Sequence, residues 1–480
     1  MKQHSILESM NNRKFRFGGY ATLLIFAGLA VVIVVNVLVS KIPGKLDLTQ
    51  NKIFSLSPET YKVLDDLKSD ITITTVAKTG SEDPTVATIV AKYAARSAHI
   101  KLASVDPERN PGWARQYDTS GQGLSPGTLV VVSGKNVKTI GPYDMYNYDT
   151  SNPNQQPQLT SLSVEQRVTS ALMFVTASKN VTLYVLEGHG EQTLESLGQS
   201  TAAGNENYAV KSLSLITAGD VPADADVLLV LAPKTDLSSQ DADKIRAWLA
   251  QGGRAVFLFN VLAKDNEMPN LAGILQSYGV EVRNLLVVEG DQNKVAAQQP
   301  LWVVPNLEYH DILAPLRTSN YFVVLPYAQA IQTLDLKKRS LKIEPLLTSS
   351  GNSWGKPTNT KALAREKGDP TGPFNLAVAV TDPAPDAAKK DTKLVVVGNI
   401  QFLAQVFTSQ VPGNGDFFMN SLGWLRGQKE SISIRPKNLQ TMRLSLSNLQ
   451  ALLFSGLVVI ILPLLVLGSG FVVWMRRRHL

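Results

Sequence analysis

Glu187, His189 and Glu191 fall within five residues, in the run Glu187-Gly188-His189-Gly190-Glu191. An H-x-E spacing offers an imidazole and a carboxylate to an acid–base site or a metal centre. A metal centre needs three or four ligands. Between the two long apolar segments described below, the other histidines are His99 and His310, and neither shares a motif with this run. The plainer reading is a tight glycine turn at the end of a strand. The sharper reading is a ligand or partner contact, because open α/β sheets bind at the carboxyl ends of their strands. Glu187, His189 and Glu191 are therefore the candidate contact residues, and no residue is assigned to catalysis, a metal or a cofactor.

Other chemistry falls away on composition and context. The chain has no cysteine, which removes thiol nucleophiles, disulfides, Cys-ligated zinc and iron–sulfur clusters. Gly123-Leu124-Ser125-Pro126-Gly127 matches G-x-S-x-G, but a nucleophile elbow lies on a strand-to-helix turn. Here the run precedes a strand, and Pro126 removes the N–H an oxyanion hole would use, so it reads as a turn. Gly351 to Lys356 lacks the spacing and the following Ser/Thr of a phosphate-binding loop, which excludes ATP hydrolysis by this chain. Asp106-Pro107-Glu108-Arg109 reads as a helix start, and Trp302, Tyr309 and Tyr321 as core aromatics rather than a carbohydrate pocket.

The elements that must position the turn follow from periodicity. Val181–Leu186 is a continuous apolar strand leading straight into it. Tyr208–Leu213, Val227–Leu231 and Ala255–Phe259 are further strands. Between the last two, Ser238 caps a helix with Asp241 three residues on, Ile245, Trp248 and Leu249 form its stripe, and Gly252-Gly253 end it. Pro269–Ser277 reads as a helix, and Val280–Val282 with Leu285–Val288 as short strands. Leu376–Val380 and Leu394–Val397 join the same sheet, followed by a helix from about Asp416. Buried strands alternating with helices predict a parallel sheet covered on both faces. Residues 350–371 and 383–392 read as exposed loops.

Residues 41–146 read as a smaller β-α-β-α-β-β unit, with Ser57-Pro58-Glu59 starting a helix and strands at Ile71–Val76, Ile100–Val105, Thr128–Val132 and Val137–Ile140. Asn147 to Leu159 is polar and holds two prolines, so 147–162 reads as a connector. A helix from Ser163 then leads into the larger unit, 163–443.

Two segments are too long and apolar for core elements. Phe17–Ser40 and Leu444–Met475 contain no Asp, Glu, Lys, Arg or His, and a membrane helix needs about 20 apolar residues. A cleaved signal peptide is the competing reading of 17–40, but its length and the lack of a small-residue cleavage site favour a retained anchor. Lys2, Arg13, Lys14 and Arg16 stand against Glu8 in the basic N-terminus 1–16, and Arg476, Arg477 and Arg478 in the tail 476–480. Both ends are expected in the cytoplasm. Of the net charge of +7, six units lie in these flanks, so the charge marks topology and nucleic acid is not a partner.

Several motifs together resemble one family. The first anchor is followed by D-L-T-x5-S-L-S-P-E-T at 47–60. Then come the Glu187–Glu191 run, L-x5-D-K-I-R-A-W-L-A-Q-G-G at 237–253, G-N-x-Q-F-L at 398–403, and D-F-F-M-N-S-L-G-W-L at 416–425 before the second anchor. In this order they resemble GldG-like proteins, auxiliary subunits of ABC transporters also described as gliding-motility-associated. The resemblance implies a non-enzymatic subunit in the inner (cytoplasmic) membrane, beside an ABC-2-type permease and a cytoplasmic ABC ATPase, needing no cofactor of its own. It also implies an amidotransferase-like domain without catalytic machinery. The expected fold is α/β: an extracytoplasmic (periplasmic) thioredoxin-like unit plus a parallel-sheet amidotransferase-like unit, with a transmembrane helix at each end. The alternative is a membrane-anchored binding protein that captures a ligand without a transporter.

Overall fold

Prolines and small polar caps set the helix starts of the smaller unit. Ser57 accepts the Thr60 N–H ahead of α1 (Pro58–Asp65), and Asp83 accepts from Thr85 and Val86 ahead of α2 (Pro84–Arg96). α3 (Pro111–Tyr117) starts later than expected, because the Asp106 carboxylate accepts the Glu108 N–H and holds Asp106–Arg109 as a turn. The computed structural model describes residues 52–478 apart from 79, 119–120, 122, 150–155, 178–180, 262–266, 361, 387–388, 428–435 and 440–447, together with 23, 25–35, 37 and 49.

β1 (Ile71–Val76), β2 (Ile100–Val105), β3 (Leu129–Ser133) and β4 (Asn136–Ile140) form a sheet in the order β2-β1-β3-β4. Only β1–β2 is parallel. The expected connector contains two strands, β5 (Tyr146–Asp149) and β6 (Gln158–Leu162). Their polar sequence hides them, since pairing with each other and side-chain bonds from Asn147 to Ser161 and Ser163 stabilise them. The helix expected to open the larger unit, α4 (Val164–Thr176), buries Val164, Val168, Ala171, Leu172 and Val175 in the smaller unit's core with Ile71, Ile73, Ile89 and Tyr93. Its apolar stripe matches that sheet face, so packing assigns it there.

The larger unit is built on one mixed sheet. It contains β7 (Val181–Leu186), β8 (Tyr208–Leu213), β9 (Val227–Leu231), β10 (Arg254–Leu258) and β11 (Val280–Val288). The short β12 (Trp302–Val303), β13 (Asn306–Leu307) and β14 (Leu325–Pro326) precede β15 (Gln329–Thr333), β16 (Lys342–Thr348), β17 (Trp354–Pro357), β18 (Asn375–Asp382) and β19 (Thr392–Val397). The spatial order is β17-β11-β15-β18-β19-β10-β9-β7-β8, with β16 also paired to β18, while β12 and β14 pair with each other apart from it. The half from β19 to β8 is parallel, as the buried strands predict, whereas β18, β15, β11 and β17 run antiparallel. The two short strands expected at 280–288 are one strand with a register shift between Val282 and Leu286.

Alternation along these strands divides the core. Leu183, Val185, Leu229, Leu231, Val256 and Val395 face α8 (Pro412–Leu425), while Tyr184, Leu228, Val230, Phe257, Leu394 and Val396 face the opposite helices. Those helices are α6 (Ser239–Ala250) and α7 (Pro269–Ser277); α5 (Ser200–Asn205) precedes β8. Each large apolar side chain so buried contributes about 1.5–3 kcal/mol against the entropy of ordering the chain.

Leu452–Arg476 is a 25-residue helix long and apolar enough to cross a membrane, and it suggests anchoring there. A π-helical turn at Leu457–Ile461 precedes Pro463, whose missing N–H breaks the regular ladder. Of the first expected span, Ile25–Val35 is a shorter apolar helix, while residues 1–16 and most of its flanks lie outside the described residues.

Candidate functional site

The parallel strands stand in the order β8-β7-β9-β10-β19, so the direction of chain winding reverses between β7 and β9. Ligands of open α/β sheets bind at such a switch point. The Glu187–Glu191 turn leaves β7 at that place. Gly188 at φ 120° and Gly190 at φ 77° take conformations that favour glycine. The turn is zipped onto the loop after β9: His189 O accepts from Lys234 N at 2.8 Å and Thr235 N at 3.1 Å, and Gln192 N donates to Leu231 O at 2.8 Å.

The side chains are also engaged internally. His189 is buried, its Nδ1 lies 3.0 Å from Glu191 Oε1, and its backbone N–H donates to Glu191 Oε2 at 2.7 Å. On the other side, His189 Nε2 stands 3.7 Å from Asp241 Oδ2 at the start of α6. Asp241 also accepts from Ser238 Oγ at 2.8 Å and lies 3.4 Å from Lys244. The structure thus joins His189 and Glu191 and leaves the half-buried Glu187 and the exposed Gly188 toward the surface. The added carboxylate, Asp241, was legible only as a helix cap. His99 pairs with Asp70 and His310 caps the turn Asp311–Leu313, and among the described residues no cluster could hold a metal.

A second constellation was not anticipated. Glu165, at the start of α4, accepts from Ser57 N and from Thr60 Oγ1 at 2.7 Å, both C-terminal to the apolar helix Ile25–Val35. Its other oxygen lies 2.8 Å from Lys437 Nζ. Lys437 begins β20 (Lys437–Asn438), which pairs with β6, and its ammonium also donates to the carbonyls of Lys52 and Ser55. Ile53, Phe54 and Leu439 pack on the smaller unit's core. The segments leading to both apolar termini therefore meet at one buried carboxylate. Glu165 and Lys437 are far apart in sequence and belong to no motif.

A third feature is a cavity of about 690 Å³ between α4, α5 and α8. Gln166, Arg167 and Ser170 of α4 face it, opposite Glu206, Asn207 and Tyr208. Burial pushes the Glu206 carboxyl above its ordinary value, while Arg167 and Arg426 pull it back. Burial likewise lowers Arg167 and raises Tyr208 to about 12. The three aromatics Trp302, Tyr309 and Tyr321 do not form a core: Trp302 meets Phe407 edge-on, Arg317 covers an exposed Tyr309, and Tyr321 is exposed.

Comparison with known proteins adds what geometry alone does not. No curated protein matches the chain. Among solved structures, the mmIFT52 N-terminal domain is similar at a TM-score of 0.39 and 14% identity, covering 51% of this chain and 97% of its own. Residues 50–146 match a domain of unknown function, DUF7088. Residues 180–421 match the family described as an ABC-type uncharacterized transport system, an auxiliary-component family that suggests a non-catalytic role. The chain belongs to this ABC transport auxiliary family, in agreement with the GldG-like motif order of its sequence.

Proposed function

We propose that the protein is a non-catalytic subunit of an ABC-2-type transporter, anchored at both ends in the cytoplasmic (inner) membrane. Both termini lie in the cytoplasm, and the α/β part between them couples to the permease and its cytoplasmic ABC ATPase from the extracytoplasmic side. The observation that carries this reading is Glu165, which ties the segment after the first anchor to the segment before the second. A displacement of either membrane helix would reach the folded units through this carboxylate, and a bistable packing at such a junction is how small shifts become domain motions. The thioredoxin-like description of the smaller unit is supported by its four-stranded sheet, and the amidotransferase-like description of the larger by its parallel half. Glu187, His189 and Glu191 form a partner contact in this reading: the internal bonds of His189 and Glu191 hold the turn rigid at the switch point, and Glu187 is presented.

Affinity purification of the full chain from its own membrane in mild detergent tests the assignment. An ABC-2-type permease and an ABC ATPase should accompany it in fixed ratio. A stable chain recovered alone would contradict it.

A further inference from the structure

We propose that the cavity between α4, α5 and α8 binds a small organic anion with an apolar body. Its size, about 690 Å³, lies in the ordinary range of small-molecule pockets, roughly 300–1,000 Å³. The polar wall sets two guanidinium groups, Arg167 and Arg426, beside the carboxylates of Glu206 and Asp416. Arg167 Nε donates to Asp144 O at 3.0 Å, whereas the Arg426 Nε is buried without a hydrogen-bond partner. Such a donor costs free energy until an acceptor reaches it. Glu206 interacts with both guanidinium groups, and burial raises its carboxyl above the ordinary value, which favours its neutral form.

The rest of the wall fits the same kind of molecule. Arg426 lies over the Tyr208 ring, 5.4 Å from its centroid, which holds the guanidinium in place. Asn207 donates from Nδ2 to Ser170 O at 2.7 Å and to Ser170 Oγ at 2.9 Å, and its Oδ1 remains buried and unpartnered. That oxygen accepts a hydroxyl or amide donor beside the acid group. Met173, Phe174 and Met419 line the cavity and supply apolar surface for the body. The arginine fork suits a planar carboxylate. Arg167 and Glu165 share α4, so occupancy bears directly on the helix that holds both juxtamembrane segments.

The proposal does not depend on the transporter assignment, because binding is measured on the full chain alone in neutral detergent. Phenylbutyrate is the probe, and phenylbutanol its uncharged counterpart, titrated by calorimetry with the thermal midpoint as a second readout. Phenylbutyrate should bind saturably and raise the midpoint, phenylbutanol should do neither, and Arg426→Gln should weaken phenylbutyrate about tenfold. Arg167→Gln is the second variant and decides the matter if Arg426→Gln fails to give a cooperative melt. No saturable binding of phenylbutyrate would overturn the proposal. So would equal binding of acid and alcohol, or native affinity in folded arginine variants.

Discussion

Lys437 Nζ stands 2.8 Å from Glu165 Oε2 and also donates to the carbonyl of Lys52 at 3.0 Å, so one ammonium bridges the two segments that lead to the apolar termini. The Glu165 side chain is 2% exposed and that of Lys437 14%. Water therefore does little to screen the pair, and losing either partner leaves a charge without compensation. Tyr93 closes the network from α2, donating to Glu165 O at 3.0 Å and lying 2.7 Å from Thr169 Oγ1, and burial beside Glu165 raises its hydroxyl far above the ordinary value.

Lys437→Met should destabilise the smaller unit by about 3 kcal/mol. Glu165→Gln should do the same, since its neutral amide cannot serve the ammonium and also accept from the Ser57 N–H and the Thr60 hydroxyl as the carboxylate does. The double variant should cost less than the sum of the two. Hydrogen exchange of β5 and β6 in the full chain checks this, because β20 is paired to β6. Unchanged protection in both single variants would show that the bridge is incidental.

Stability should fall on mild acidification because of His310. Its Nδ1 accepts the Ile312 N–H at 3.1 Å, its ring meets Trp424 edge-on, and Glu344, Asp311, Lys342 and Lys393 face it. Burial holds its pKa below the ordinary 6.5 in the folded chain. The unfolded chain therefore binds the proton first, so stability is retained above about 6.5 and lost as pH falls from there through the folded value. His310→Asn keeps a cap acceptor and should remove this part of the pH dependence in chemical unfolding measured from neutral to mildly acidic pH. An equal slope in the variant would refute it.

Glu206 should act with the opposite sign. Its folded carboxyl titrates above 4.5, so the folded chain binds the proton more tightly and stability is lost as pH rises through that interval. Glu206→Gln should therefore stabilise the chain at neutral pH, and the gain should vanish below about 4.5. Thermal midpoints of the two proteins across pH give the comparison.

Two glycines separate backbone strain from collision. Gly252 has φ 91°, and a Cβ there would lie 2.3 Å from Lys390 O. Gly188 has φ 120° with nothing within 4 Å of its Cβ position. Gly252→Ala should cost about 3 kcal/mol or more, and Gly188→Ala about 1 kcal/mol. Equal losses in unfolding experiments would contradict this distinction.

The parallel half of the large sheet was legible because its strands, buried on both faces, are continuous apolar runs such as Val227–Leu231. The helix caps at Ser57 and Ser238 were equally plain. The antiparallel half was obscured where strand residues look like loop. β17, Trp-Gly-Lys-Pro, lies in the segment expected to be exposed, yet Lys356 within it is 2% exposed, with its ammonium 2.8 Å from Asp369 and 3.1 Å from Glu366. Those partners raise its pKa, led by the Asp369 hydrogen bond. Of the candidate site, sequence located the turn through its two glycines but not the burial of His189 between Glu191 and Asp241. The Glu165–Lys437 bridge and the cavity arise from tertiary packing of distant residues that carry no local pattern.

ATP turnover of the reconstituted permease–ATPase pair, with and without this chain, tests the coupling claim most directly. Native chain should change the turnover and its dependence on transport substrate. The Glu165→Gln/Lys437→Met double variant, folded and bound to the pair, should leave turnover as it is without the chain. A double variant that modulates turnover as the native chain does would contradict coupling through this bridge.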